Sequence, residues 1–405
     1  MTSTDTVGTT RRWVMLACSL IAAMTTTCMV SGVAYLIPTL HSTGMSISNA
    51  SVLAAIPTVG LMLAILGWGV LLDRHGERLI LMISLSITLI AAIATALTAA
   101  MSAPYGLLAT FLLLGGLGSG AANGASGRIV VGWFPPSQRG TAMGIRQMAQ
   151  PLGIAVCALT MPVLAERSGI GVALVVPAVV TGIGLLACIF GIIDPLEPSS
   201  TTPDDSGPRR NPYRESWFLV RVHAVSVLLV IPQSMLWTFV PTWLIVARHW
   251  SPTTAGILVT ITQTIGAFGR IAAGRWSDVA MSRMRPIRLI AVGAGVSMAV
   301  LAVTDWVSSP VSVAVMMVAS VVTVADNGLA FTAIAEFAGP GWSGRGLGVQ
   351  NTAQYLATAA TTPIFGALIT VIGFPLAFAA SAIAPVIAAP LVPKDPAPQE
   401  ESVRT

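Results

Sequence analysis

Apolar residues run along nearly the whole chain in blocks of about twenty or more, the length at which a helix crosses a bilayer. Short clusters of Arg, Asp, Gly and Pro separate the blocks. Together with those breaks, the pattern predicts spans near 13–38, 46–72, 79–101, 105–133, 140–165, 170–193, 216–244, 252–276, 287–306, 310–335, 346–371 and 373–392. Each has to be a helix, because an isolated segment in lipid must satisfy its own backbone hydrogen bonds. The expectation is an all-α polytopic membrane protein with twelve transmembrane helices.

Composition supports this. Of 405 residues, 54% are hydrophobic and 9% charged, with a mean hydropathy of +0.81. A soluble domain carries about 25% charged residues, so a large core does not account for the difference. The first apolar run is too long, and too continuous with the next one, for a cleaved signal peptide. Cys18, Cys28, Cys157 and Cys188 all fall inside apolar runs, without CxxC spacing or a neighbouring histidine, and read as small packing residues. The net charge of +5 does not imply nucleic acid, and its placement matters more than its sum.

With the N-terminus in the cytoplasm, the cytoplasmic segments hold fifteen basic residues and the opposite side only Arg167 and Arg248. The positive-inside rule then puts both termini in the cytoplasm of an inner or plasma membrane. The longest polar stretch, 194–213, has the Pro-, Ser-, Thr- and Asp-rich composition of a linker. It divides the chain into a six-helix bundle at 1–193 and another at 214–392, followed by a tail at 393–405.

The halves resemble each other at a spacing of about 204 residues. Gly69 to Asp73 matches Gly274 to Asp278, and Asn123-Gly124 matches Asn327-Gly328. Gly144-Ile145-Arg146-Gln147-Met148-Ala149-Gln150 lies over Gly348-Val349-Gln350-Asn351-Thr352-Ala353-Gln354, and Ile37-Pro38-Thr39 recurs as Val240-Pro241-Thr242. Parallel repeats of this kind place a substrate site near the midplane, with rocking to alternate access.

Between spans two and three, Gly69-Val-Leu-Leu-Asp73-Arg74-His-Gly76-Glu-Arg78 resembles the signature loop of the major facilitator superfamily, and Gly274 to Asp278 resembles its degenerate second copy. The resemblance implies that family's twelve-helix fold and alternating-access transport, without naming a substrate. It assigns gating to Gly69, Asp73, Arg74, Arg78 and Asp278, with Asp73 engaging the start of the eleventh helix at Gly344 to Gly348. That helix start would favour an anion through its backbone N–H groups and dipole. Two departures weaken a drug–proton antiporter reading. Leu112 stands where many proton-coupled members carry an arginine before the Gly-x-Gly at Gly116 to Gly118. The span-five antiporter motif is reduced to Gln150-Pro151-Leu152-Gly153.

Ionisable residues inside spans are functional candidates, because each costs at least ~2.5 kcal/mol in lipid. Arg128, Arg146, Arg221 and Arg270 remain once loops are counted; Arg221, near a span end, can snorkel, and Arg128 stays open between structure and function. Arg146 has Gln147 and Gln150 beside it, and Arg270 has Gln263 further along its own face. Asp326 is the one acid well inside a span, either a proton carrier or half of an ion pair with Arg270, while Glu336 is placed to meet a loop arginine. Asn123, Gln350, Asn351, Gln354 and Tyr355, with Gln233 and Trp237, supply further polar faces, some of which will be helix–helix glue. The predicted substrate ligands are therefore Arg146, Gln147, Gln150, Arg270, Gln263, Asn123, Gln350, Gln354, Tyr355 and Trp237, with Asp326 as the proton-coupling residue.

The only lysine is Lys394, in the tail, so no phosphate loop is available for ATP drive. His41, His75, His223 and His249 are scattered without metal-ligand spacing, so neither an enzyme, a metal site nor a cofactor is expected. The leading reading is a secondary transporter for a small organic or inorganic anion, coupled to protons and functional as a monomer. It rests on several embedded arginines against one embedded aspartate. A drug or metabolite efflux antiporter is the runner-up within transport, and a membrane sensor that lost turnover is the alternative of another class.

Overall fold

Every regular element among the described residues is helical. The computed structural model describes residues 8–134, 138, 142, 145–193, 211–339 and 342–395, without the side chains of Asp73, Val131, Glu215 and Ser343. Most of the expected linker (194–210), most of the tail (396–405), Arg139 and the Asp73 carboxylate therefore lie outside the described residues.

Among the described residues, eleven helices are long and apolar enough to cross a bilayer. They are α1 (Thr9–Ser42), α2 (Ile47–Leu72), α3 (Glu77–Ala100), α4 (Tyr105–Val130), α5 (Ile145–Ser168), α6 (Ile170–Gly191), α7 (Phe218–Ala247), α8 (Pro252–Val279), α9 (Met284–Trp306), α10 (Val311–Ala338) and a last one of 48 residues, Gly344–Leu391. At ~1.5 Å per residue a helix of that length is about twice as long as a ~30 Å hydrocarbon core requires. It is two spans joined at Gly373, where φ 78 and ψ 173 interrupt the helix. α11 precedes that glycine and α12 comes after it, which gives the twelve crossings the hydropathy pattern predicts. Large apolar side chains remain on the surface of these helices, among them Leu66, Ile90, Phe190 and Val371, as a lipid-facing surface requires.

The turns carry the duplication in their backbone. Four matched pairs, about 205 residues apart, adopt left-handed φ: Gly44 (99) with His249 (56), Gly76 (81) with Met281 (47), Ser102 (51) with Ser308 (53), and Gly169 (89) with Gly373 (78). Gly339 is the remaining left-handed residue among those described, and its counterpart near 135 lies outside them. Such a φ is sterically cheap for glycine alone. The turn geometry has therefore been kept at His249 and Met281 although the residue type has changed.

Two spans are interrupted at corresponding depths. α4 breaks at Gly120, where the helices Tyr105–Ser119 and Ala121–Trp133 meet. One turn before the break, the Leu117 carbonyl accepts from the Trp68 indole of α2 at 2.7 Å. A Cβ at Gly120 would lie 2.7 Å from the Trp68 ring, so the glycine makes room for the indole. α10 breaks between Val322 and Asn327, where Ala325 N–H turns back to the Val322 carbonyl at 3.2 Å. Asn123 and Asn327 stand just after these two breaks.

The chain groups into two units. The first comprises Met1–Asp205, Ser234–Ala267 and Tyr355–Phe374; the second comprises Ser206–Gln233, Phe268–Gln354 and Pro375–Thr405. The grouping thus divides α7, α8 and α11. In the first unit the core joins Met15, Leu72, Leu81, Ile129 and Cys188, from α1, α2, α3, α4 and α6. In the second it joins Leu219, Ala273, Ile287, Leu329 and Ala388, from α7, α8, α9, α10 and α12. The same five helices by order build the core in each half.

Within the first unit, segments of α8 and α11 press onto α5 and α2. A Cβ at Gly256 would collide with the Ala158 carbonyl, and one at Gly366 with the Ser51 hydroxyl. Close approach of this kind, through residues that lack side chains, is how helices associate in lipid. Ser48 N–H donates to Thr370 Oγ1 at 3.1 Å beside the second contact.

Arginines close the final helix of each half. Arg78 of α3 donates to the Ile189 carbonyl at the end of α6, at 3.1 Å. Arg288 of α9 donates to the Val392 carbonyl at the end of α12, at 2.9 Å. Arg221 reaches the Leu391 carbonyl at 2.9 Å. Cations are favoured at helix C-termini, where carbonyls lack intrahelical partners. This explains three arginines without invoking a substrate.

Candidate substrate and coupling sites

The first unit holds Arg146, on α5 just before a turn in which Met148 N–H bonds to the Ile145 carbonyl at 3.0 Å. Its Nε donates to Ser126 Oγ at 2.8 Å and its Nη2 to the Asn123 carbonyl at 2.7 Å. The Ser126 hydroxyl gives its own proton to that same carbonyl at 3.0 Å, which leaves an oxygen lone pair for Nε. Asn123 Nδ2 donates to the Tyr355 hydroxyl at 3.1 Å, and Tyr355 lies within electrostatic reach of Arg146. Gly127 leaves the guanidinium room, since a Cβ there would sit 3.8 Å from Cζ. Three spans, α4, α5 and α11, thus assemble a cation with neutral hydrogen-bonding groups around it.

Of the other predicted ligands in this unit, Gln150, Trp237 and Gln263 are half-buried and Gln147 is exposed. Neither Gln147 nor Gln263 makes a side-chain hydrogen bond among the described residues. Ser126 was not among the predicted ligands. Twenty positions separate it from Arg146 in the sequence, and nothing local marks it.

The second unit holds Arg270 and Asp326, which act on each other electrostatically. Asp326 is 2% exposed, and its Oδ1 has no hydrogen-bond partner among the described residues. Next to it, Asn327 Nδ2 donates to Gln233 Oε1 at 3.0 Å, and Gln354 Nε2 donates to Asn327 Oδ1 at 3.3 Å. These amides link α7, α10 and α11. Gln350 is fully buried and faces a different partner: its Oε1 lies 2.7 Å from His223 Nδ1, while His223 Nε2 lies 2.9 Å from the Tyr213 hydroxyl.

Several other charges are bound to opposite charges. Arg128 Nε meets Glu77 Oε1 at 2.7 Å. Arg283 binds Glu336 through two contacts, Nη2 to Oε1 at 2.9 Å and Nε to Oε2 at 3.3 Å, and reaches Asp278 Oδ1 at 2.5 Å. The Glu336 bond, then Asp278, holds the Arg283 guanidinium above its ordinary pKa. Asp395 accepts from the N–H groups of Arg283 and Met284, at 2.9 and 3.0 Å, and so caps the start of α9. Of the predicted gating residues, Arg74 is exposed, Gly69 has open space around its Cα, Arg78 caps α6, and Asp278 sits in the Arg283 cluster. The cysteines are unbridged, and the described residues contain no cluster of three metal-ligating side chains.

The profile of the Major Facilitator Superfamily matches residues 15–362. The chain is 46% identical over 392 residues to the uncharacterized MFS-type transporter Rv2994 of Mycobacterium tuberculosis, covering 96% of this chain and 87% of that protein. It is 23% identical over 377 residues to a Bacillus subtilis protein named "Probable galactarate/D-glucarate transporter GudP", covering 83% and 82%. Among solved structures, a bacterial homologue of the human lysosomal transporter Spinster superposes with a TM-score of 0.76 at 16% identity, over 95% of this chain and 97% of that one. That likeness concerns the fold alone. With twelve crossings in two like halves, a signature loop between α2 and α3 and a profile match over most of its length, the chain belongs to the Major Facilitator Superfamily of membrane transporters.

Proposed function

We propose that this transporter carries a small organic or inorganic anion by alternating access, with proton coupling. The observation that carries the reading is Arg146, a guanidinium inside α5 fixed by the Asn123 carbonyl and Ser126 hydroxyl beside Tyr355. Holding a guanidinium within a span costs free energy, which a ligand role explains. A guanidinium binds a carboxylate with two parallel bonds, and the Asn123 amide and Tyr355 phenol suit hydroxyl groups. A sugar acid combines both features, and the Bacillus relative is named for such substrates. Gln147, Gln150, Gln263 and Trp237 complete the ligand set in the first unit, and Gln350, Gln354 and Arg270 that in the second.

Asp326 supplies the coupling proton. Its buried Oδ1 takes the proton, the carboxylate loses its charge, and its hold on Arg270 weakens. The bundles 1–193 and 214–392 are the moving bodies, joined by a cytoplasmic linker at 194–213. The basic loops put both termini in the cytoplasm, and one chain suffices for transport. The loop of Gly69, Asp73, Arg74 and Arg78 acts as a gate, with its copy around Asp278.

The test uses purified protein in proteoliposomes with radiolabelled D-glucarate and an imposed pH gradient. Wild type accumulates the label, Arg146→Lys binds it about tenfold more weakly because the fork is lost, and Arg146→Ala does not bind it. Arg146→Ala with wild-type affinity for a transported anion would remove the reading's main support.

A further inference from the structure

His223 lies on α7 about 7.5 Å along the helix axis from its first residue, Phe218, and is 8% exposed. Both ring nitrogens are engaged, Nδ1 with Gln350 Oε1 and Nε2 with the Tyr213 hydroxyl. An amide oxygen can only accept, so Nδ1 carries the hydrogen and neutral Nε2 accepts from the phenol. This arrangement tolerates a second ring proton. When Nε2 gains one from solvent, the Tyr213 O–H rotates away and its oxygen accepts instead, while the Gln350 bond is unchanged. Protonation thus exchanges the direction of one hydrogen bond and loses none.

No carboxylate bonds the imidazole among the described residues. On α7 itself, Arg221 is turned to the Leu391 carbonyl. On α11, Arg345 stacks on Trp342, whose ring edge meets Tyr213, and Arg214 beside Tyr213 is exposed. On α10, Glu336 is bound to Arg283 and Asp326 interacts with Arg270. Tyr213, whose ring stacks on His223, has its phenol pKa raised by burial, so it stays protonated and able to switch roles.

Gln350 gives this group its significance. In the repeat it occupies the position of Arg146, and its buried Nε2 has no hydrogen-bond partner among the described residues. Where the first half carries a permanent cation, the second carries an amide braced by a titratable ring. We propose that His223 is a proton-binding group of the transport cycle, which on protonation places a positive charge beside the repeat equivalent of Arg146. The charged ring also bonds Tyr213 more strongly, because charge-assisted hydrogen bonds exceed neutral ones. Tyr213 ends the expected linker, and its hydroxyl lies 3.8 Å from the Cβ position of Gly346 at the start of α11. Proton binding is thereby felt at both segments.

This assignment rests on the proton-coupled reading above, but its first test needs no substrate. The full-length protein, labelled with 15N-histidine in lipid nanodiscs, is titrated by NMR from about pH 8 to about pH 5, the range in which imidazole changes charge. His223→Asn identifies the His223 signal among the four histidines. The signal should move from the Nδ1–H neutral form to the imidazolium. Tyr213→Phe should lower the midpoint by about half a pH unit or more, since the charged ring loses the stronger of its two possible bonds to the phenol. A signal that stays neutral to the lowest pH, or a midpoint indifferent to Tyr213→Phe, overturns the proposal. In proteoliposomes, His223→Asn should lose pH-gradient-driven accumulation of D-glucarate about tenfold or more; accumulation as steep as wild type overturns it as well. If wild type takes up no D-glucarate, the substrate reading falls while the titration still decides the role of His223.

Discussion

Arg128 on α4 and Glu77 at the start of α3 form an ion pair at 2.7 Å, with the glutamate side chain 8% exposed and the arginine 38%. Glu77 is too buried to be left alone, whereas Arg128 is partly exposed. Glu77→Gln should lower stability by about 1–2 kcal/mol, less than a fully buried pair because of that exposure. Thermal unfolding in detergent measures the loss. Arg128→Gln should then cost less on the Glu77→Gln background than on wild type, since their shared bond is already broken; equal costs on both backgrounds would mean the two residues act separately.

The contacts of Gly256 with Ala158 and of Gly366 with Ser51 leave no space for a side chain. On a cysteine-free background, cysteines at Ser48 and Thr370, whose parent residues are bonded at 3.1 Å, should cross-link rapidly under mild oxidation. Introducing Gly256→Ala should slow that cross-linking about tenfold by holding α8 off α5. An unchanged rate would show that the α2–α11 contact forms independently of the α5–α8 contact.

Left-handed φ at Met281 and His249 is a standing cost that glycine would not carry. Met281→Gly should stabilise the protein by about 0.5–1 kcal/mol, the steric gain outweighing the extra freedom of the unfolded chain. Gly373→Ala, at a matched turn, should destabilise it by about 1 kcal/mol or more. Melting temperatures of the two variants should move in opposite directions, and a parallel shift would refute the strain argument.

Hydropathy was enough to read the spans, down to the break between α11 and α12 at Gly373, because lipid forces each crossing to be helical and apolar over about twenty residues. Arg146 was legible as a charge out of place. Asn123 was named with it as a ligand, but their bond was not legible and Ser126 was missed, since both belong to another helix and only packing brings them to the guanidinium. The interruption of α4 at Gly120 was hidden because glycine is common in membrane helices. Arg128 could not be decided without Glu77, whereas Glu336 does meet a loop arginine, Arg283, as its position at a span end implied. His223 read as one of four scattered histidines. Its clue lay in the repeat, where Gln350 replaces Arg146, and became visible only with the 2.7 Å contact between His223 and Gln350.

The arginine closures have a bearing on biosynthesis. Arg78 fastens the end of α6 at Ile189 using residues that are all made before position 194, and Arg288 fastens α12 at Val392 using residues from the second half alone. The first clasp can form in the membrane while the ribosome is still translating the second half. A gene divided within codons 194–210 would encode two polypeptides that each retain a clasp, so separate insertion and later pairing are built into where the two arginines stand.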